Sequence, residues 1–414
     1  MTGTEFLYVI LAITGFGFLV DQVIDYLNIK YLQEELPSEL ANIYEETEYQ
    51  KSIRYQRSQT RFGFVTSLTS FVASFGLLAF GGFGWIDGLL SRYITSELWL
   101  PLAFFGSLFI ASDLLTTPFQ WYGTFRLEAR YGFNKTTLRT FLLDKVKGYL
   151  LGILLGGPLL ALFIYLLTQM GRDFWWISWI AITAFSLFMN VFYSTLILPI
   201  FNKLTPLQEG ELKHSIEDYA RKVKFPLTNI LVMDGSRRSN KSNAFFSGFG
   251  PQKKVVLYDT LIEKHSTDEL VSVLAHEVGH YKKQHIRAGF LLSTLQTGLM
   301  LFLMQFIIFN EELSFALGGT EYAIHLNLIA FAILYGPIST ILGLIGNYVS
   351  RKNEYEADAY ATRTYGGEPL QSALKKLSVH NLSNLMPHPW YVFFNYSHPP
   401  LLQRLKAIDR IQNL

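Results

Sequence analysis

The chain has 414 residues, enough for two or three soluble domains by length, yet half of them are hydrophobic, 15% are aromatic and only 16% are charged. A mean hydropathy of +0.22 excludes an ordinary soluble protein and points to a polytopic one whose first partner is the lipid bilayer, while a net charge of +2 gives no footprint for nucleic acid. Without a cysteine there can be no disulfide, thiol nucleophile or thiolate metal site, so any metal must be held by His, Asp or Glu.

Residues 5–20 are apolar but lack a basic leader and a small-residue cleavage site, so they read as a retained membrane span. Further runs of spanning length follow at 62–85, 98–119, 149–170, 175–201, 288–310 and 322–348, seven spans in all. Pro158 and Pro337 lie inside two of them, where neighbouring helices can satisfy the freed carbonyls. The first loop holds Lys30, Lys51, Arg54, Arg57 and Arg61, and the third holds six basic residues, whereas the second and fourth hold only Arg92 and Arg172 and the sixth none. Because basic loops stay in the cytoplasm, this alternation predicts an N-terminus outside, with residues 202–287 and the C-terminal tail inside. The C-terminus shows no retention signal, which favours a bacterial inner membrane over the endoplasmic reticulum.

The long polar segment after residue 201 reads as a helix over 209–223, strands over 229–232 and 254–261, and a second helix opening at Ser266, capped by Glu269. This second helix carries His276, Glu277 and His280, an HExxH pattern. Two histidines four apart share a helical face and can hold one zinc ion, and the glutamate beside the first is placed to take a proton from an activated water. The motif alone is weak, since chance produces it in roughly one chain of this length in a hundred. Residues 239–248, between the strands, are a candidate for the exposed edge that would hold an extended peptide; a plain hairpin explains them equally well.

If the HExxH helix ran on unbroken into the sixth span, the metal would lie about 12 Å from the membrane interface. If the helix of the seventh span continues past its end, Glu354 and Asp358 share one face, offering a third ligand and a carboxylate to hold a ligand histidine's other ring nitrogen. Spacing alone does not choose between Glu354 and Glu356. His398, held before Pro399 and Pro400, could donate to a tetrahedral oxyanion, although most histidines outside a motif are structural. Asp113, in mid-span, implies either a water-filled cavity or a pairing with a neighbouring helix. His285 lies five residues after His280, off the ligand face of a straight helix, and receives no role.

Taken together, EYQKSIRYQRSQTRFGF, FRLEARYGFNKTTLRTFLLDK, SNAFFSGFG, HEVGH, RKNEYEADAYA and YSHPPLLQRL resemble, over nearly the whole chain, the type I CAAX prenyl endopeptidases, membrane zinc proteases of the gluzincin group. The resemblance implies an all-α polytopic membrane protein, with seven transmembrane helices forming a barrel around a chamber and a small α+β zinc-protease domain on the cytosolic side. It divides the chain into residues 1–201, with five spans, and 202–414, with the HExxH helix, two spans and the tail. It also implies one zinc on His276, His280 and Glu354, with Asp358 behind a ligand, Glu277 as base, and Asn243 and His398 at the reacting peptide. On this reading Asn243, Ala244 and Phe245 form the substrate-edge strand. The expected activity is that of a zinc metalloendopeptidase of EC 3.4.24 type, acting on a peptide or protein substrate, prenylated or not. Membrane-protein quality control and a non-catalytic zinc-stabilised scaffold are the alternatives.

Overall fold

The computed structural model describes residues 1–41, 43–247 and 253–413. The chain opens with α1 (Gly3–Tyr31), started by a capping box between Thr2 and Glu5. Next come α2 (Glu46–Ala79), α3 (Gly82–Leu90) and α4 (Trp99–Tyr122), the last continuing through a π-helical turn, Gly123–Glu128. Then follow α5 (Leu138–Leu151), α6 (Gly157–Met170), α7 (Phe174–Phe192) and α8 (Leu198–Phe201).

Among the described residues, six helical stretches are long and apolar enough to cross a membrane. One of them, Leu138–Phe201, contains both runs expected as the fourth and fifth spans. Gly171, at φ +54°, turns the chain there so that α6 and α7 pack side by side.

The polar segment supplies β1 (Leu204–Pro206), α9 (Glu211–Lys222), β2 (Leu227–Met233), β3 (Ala244–Ser247) and β4 (Lys253–Tyr258). Their spatial order is β1-β2-β4-β3, with only the β2–β4 pair parallel. The strand expected over 254–261 ends at Tyr258, where Asp259 starts a single helical turn, α10 (Asp259–Ile262). β3 lies at the sheet's edge, pairing Ala244 with Leu257 and Phe245 with Val256. Gly248, the last residue of the candidate edge stretch, falls outside the described residues.

The rest is helical: α11 (Thr267–Lys282), α12 (His285–Ile307), α13 (Glu311–Ala316), α14 (Ile324–Thr364), α15 (Gly367–His380), α16 (Pro389–Asn395) and α17 (Leu401–Gln412). The expected continuous helix from the HExxH motif into the sixth span is broken. Gln284 adopts a left-handed conformation, φ +60° and ψ +24°, so α12 departs in a new direction. α14, in contrast, runs unbroken from the membrane segment through Glu354 and Asp358, as the sequence predicted.

Two packed regions stand out. One apolar core joins α1, α2 and α9 to the sheet, α11, α15 and α17. The other joins the start of α1 to α3, α4, α13 and the start of α14. A smaller core joins α6 and α7 to α12 and the start of α14, and 6% to 17% of each spanning window is buried within the protein.

α11 is pinned on two sides. Against α14, a Cβ on Gly279 would stand 2.9 Å from Ala357 Cα and 3.0 Å from its carbonyl oxygen, so only glycine permits this approach. Against α15, the buried Glu269 accepts hydrogen bonds from Ser372 and Lys376. Burial alone would raise the Glu269 carboxyl, but Lys376, Ser372 and the Ser266 backbone N–H outweigh it and hold it below its ordinary value of 4.5.

Gly279→Ala should cost about 1–3 kcal/mol through overpacking, read as a lower melting midpoint of the detergent-solubilised protein. Glu269→Gln should cost about 1 kcal/mol at pH 7. Because the folded carboxyl is depressed, that wild-type advantage is fully present above the unfolded value near 4.5 and disappears as pH falls through the folded one. A gap between the two melting curves that stayed constant from pH 7 to pH 3 would contradict this assignment.

Candidate metal centre and active site

The helical repeat sets His276 and His280 one turn apart on α11, with ring centroids 4.8 Å apart and Nε2 atoms 3.1 Å apart. α14 brings Glu354 to the same point, its Oε1 3.2 Å from His280 Nε2 and its Oε2 3.5 Å from His276 Nε2. Of the two glutamates that spacing left open, Glu354 is the one beside the histidine pair, while Glu356 faces His285. Glu354 is buried, and its Oε2 has no hydrogen-bond partner. Ligands about 2.0–2.1 Å from a tetrahedral zinc stand about 3.3 Å apart, close to the separations seen here. The donor set and the orphaned carboxylate oxygen therefore fit a metal ion.

Both imidazoles are held from behind. His276 Nδ1–H donates to Asp358 Oδ1 at 2.8 Å. Arg404 of α17 grips the same carboxylate bidentately, Nη2 to Oδ1 at 2.6 Å and Nε to Oδ2 at 2.8 Å, and its Nη1 lies 3.4 Å from Glu354 Oε2. Arg404 was not singled out from the sequence, although a signal was present. Leu401, Leu405 and Ile408 mark the buried face of α17, and Arg404 lies three residues along on that face. His280 Nδ1 faces His285 Nδ1 at 3.1 Å.

Half-buried Glu277 has its carboxyl raised above the ordinary range by burial, against the pull of His276, His280 and Arg404. Burial lowers the imidazole of His280, but its hydrogen bond to Glu354 prevails and raises it. His398, between α16 and α17, places Nε2 3.4 Å from Glu354 Oε1, and its Nδ1 meets the Ser397 hydroxyl at 2.9 Å. Its side chain is solvent-exposed, and crowding by the surrounding protein, with Arg404 nearby, lowers its ring below the ordinary value against the opposing pull of Glu354.

Asn243 is exposed at the entrance to β3, where its side-chain oxygen accepts from the Ala244 N–H at 2.9 Å. The outer edge of β3 carries no strand among the described residues. Asp113 proves to be paired: Lys145 donates to it at 2.6 Å, and Tyr149 and Thr117 donate to it as well.

Two family models match the chain. "CAAX prenyl protease N-terminal, five membrane helices" covers residues 25–203, and "Peptidase family M48" covers 206–412. Among similar proteins, the CAAX prenyl protease 1 homolog of rice is 36% identical over 90% of both chains. CAAX prenyl protease 1 of Saccharomyces cerevisiae is 33% identical over 97% of this chain and 95% of its own, and the human homolog is 31% identical over 91% and 89%. The crystal structure of S. mikatae Ste24p superposes with a TM-score of 0.93 at 32% identity, covering 98% of this chain and 99% of that one.

These relatives are plant, fungal and animal proteins, which overturns the leaning towards a bacterial inner membrane. A missing retention signal carried little information for a chain held in the bilayer by its own spans. The multi-pass membrane character stands. With two models tiling nearly its full length and relatives above 30% identity along nine-tenths of it, the chain belongs to the CAAX prenyl proteases of peptidase family M48.

Proposed function

We propose that the protein is a zinc endopeptidase, with one zinc per chain on His276, His280 and Glu354, that cleaves prenylated CAAX proteins near the membrane interface. The observation that carries this reading is the clustering, within 4.8 Å of one another, of a ligand nitrogen from each of His276 and His280 and a carboxylate oxygen of the buried Glu354, whose Oε2 has no hydrogen-bond partner. When bound there, zinc supplies Lewis acidity to the scissile carbonyl and the attacking water. Glu277 takes the proton from that water and returns it to the departing amine. Asp358 fixes the tautomer of His276, and Arg404 keeps Asp358 ionised and in place. His398, as a donor, faces the developing oxyanion. The extended substrate lies along Asn243, Ala244 and Phe245, adding a strand to the free edge of β3.

In the same reading, residues 1–201 form a membrane domain of five helices, and 202–414 form the protease domain with two more, α6 and α7 each counting as one span. Basic loops place the protease end in the cytosol. The small share of each spanning window that is buried within the protein supports a chamber enclosed by the seven spans.

Glu277→Gln should retain zinc by metal analysis yet lose about 10²–10⁴-fold in peptide cleavage followed by mass spectrometry. Full activity in that variant would sink the acid–base assignment. A farnesylated CAAX peptide should be cleaved with a kcat/KM at least about tenfold above its unprenylated twin, a difference of about 1.4 kcal/mol. Equal rates would instead indicate general proteolysis of membrane-associated peptides.

A further inference from the structure

In a straight helix, a residue five positions after His280 would point about 140° away from it. The left-handed Gln284 defeats that expectation. By ending α11 and restarting the chain as α12, it folds His285 back against the ring of His280, with the two Nδ1 atoms 3.1 Å apart. His285 is buried, and its other nitrogen, Nε2, lies 3.3 Å from Glu356 Oε2. Glu356, one turn of α14 from the solvent-exposed Lys352, is itself partly exposed. A non-glycine residue at positive φ carries a cost of order 1–3 kcal/mol, and such strain concentrates at functional sites.

The tautomers follow from the metal site, on which this inference rests. If His280 offers the Nε2 lone pair to a cation, its proton must lie on Nδ1. His285 Nδ1 must then accept that proton's hydrogen bond, which puts the proton of His285 on Nε2, pointing at Glu356. Every donor in the chain His280–His285–Glu356 is matched by an acceptor, in one direction only. His276 Nδ1 is backed by Asp358 and Arg404; His280 Nδ1 reaches a carboxylate only through a second imidazole. We propose that His285, anchored by Glu356, is a positioning residue that fixes the tautomer and ring orientation of His280 for zinc binding. It touches neither substrate nor metal.

The test is zinc affinity of the full-length, metal-stripped protein, measured by competition with a chromophoric chelator. His285→Ala should weaken zinc by about 10–100-fold, as loss of a partner behind a ligand histidine does. His285→Asn should recover most of that loss, because its amide oxygen stands where Nδ1 stands and can accept from His280. Glu356→Gln should weaken zinc less than His285→Ala, since its carbonyl oxygen still accepts from Nε2–H. Melting midpoints of the metal-free variants report whether each remains folded, and kcat should fall with little change in KM. Wild-type affinity in a folded His285→Ala protein, or a His285→Asn protein no better than His285→Ala, would overturn the role while leaving the metal site intact. A wild-type protein that held no zinc would overturn the metal site and this role with it.

Discussion

The close contact between α11 and α14 at Gly279 and Ala357 is the constraint from which the rest of the site follows. Gly279 lies between the two histidines of the motif, so a point of close helix approach is also the point from which they project. Any side chain there would push apart the helices that must deliver two nitrogens and one carboxylate to within a few ångströms of each other. Small residues at a helix crossing are ordinary packing. Here the same glycine sets the spacing of the ligands, which ties fold stability and metal geometry to one atom-sized gap.

Electrostatics adds a second constraint. Glu354 and Asp358 are buried and Glu277 half-buried, and the nearest cation to all three is Arg404. Three carboxylates against one guanidinium leave a deficit of about two positive charges if the histidines are neutral. Burying unpaired charge is costly. A divalent ion between His276, His280 and Glu354 would close that balance, while Arg404 accounts for Asp358. The protein therefore needs Arg404 where it is whether or not it participates in chemistry, and its bidentate grip on Asp358 stops that carboxylate from competing for the metal.

The sequence made legible what depends on spacing within one uninterrupted element. The pair His276 and His280, the face shared by Glu354 and Asp358, and the continuity of α14 all follow from helical periodicity, and the apolar runs marked the membrane helices. Relations across a break stayed hidden. Nothing in the residues around Gln284 signals a left-handed turn, so His285 was placed by a straight-helix rule that does not hold there. Arg404 meets Asp358 across 46 residues, and only packing brings α17 over α14. The choice between Glu354 and Glu356 is likewise a matter of which face of α14 meets α11. β1 and β3 were too short to stand out by alternation, although β3 makes the sheet edge proposed above for the substrate.

A single helix also determines where this chemistry can act. α14 is continuous from Ile324 to Thr364, and at 1.5 Å per residue Glu354 lies about 9 Å beyond Tyr348, where the apolar run ends. An aromatic residue at that position, 66% exposed, suits the boundary between hydrocarbon and headgroups. Because the ligand and the membrane anchor belong to one rigid rod, the metal cannot rise or sink relative to the bilayer without moving the whole helix. α12, entering the membrane just after His285, imposes the same limit from the other side of the site. A peptide bond held by a lipid-embedded chain at a fixed depth would meet the proposed catalytic groups at that depth, and on that reading two transmembrane helices would perform the alignment that a soluble protease must achieve with a binding cleft.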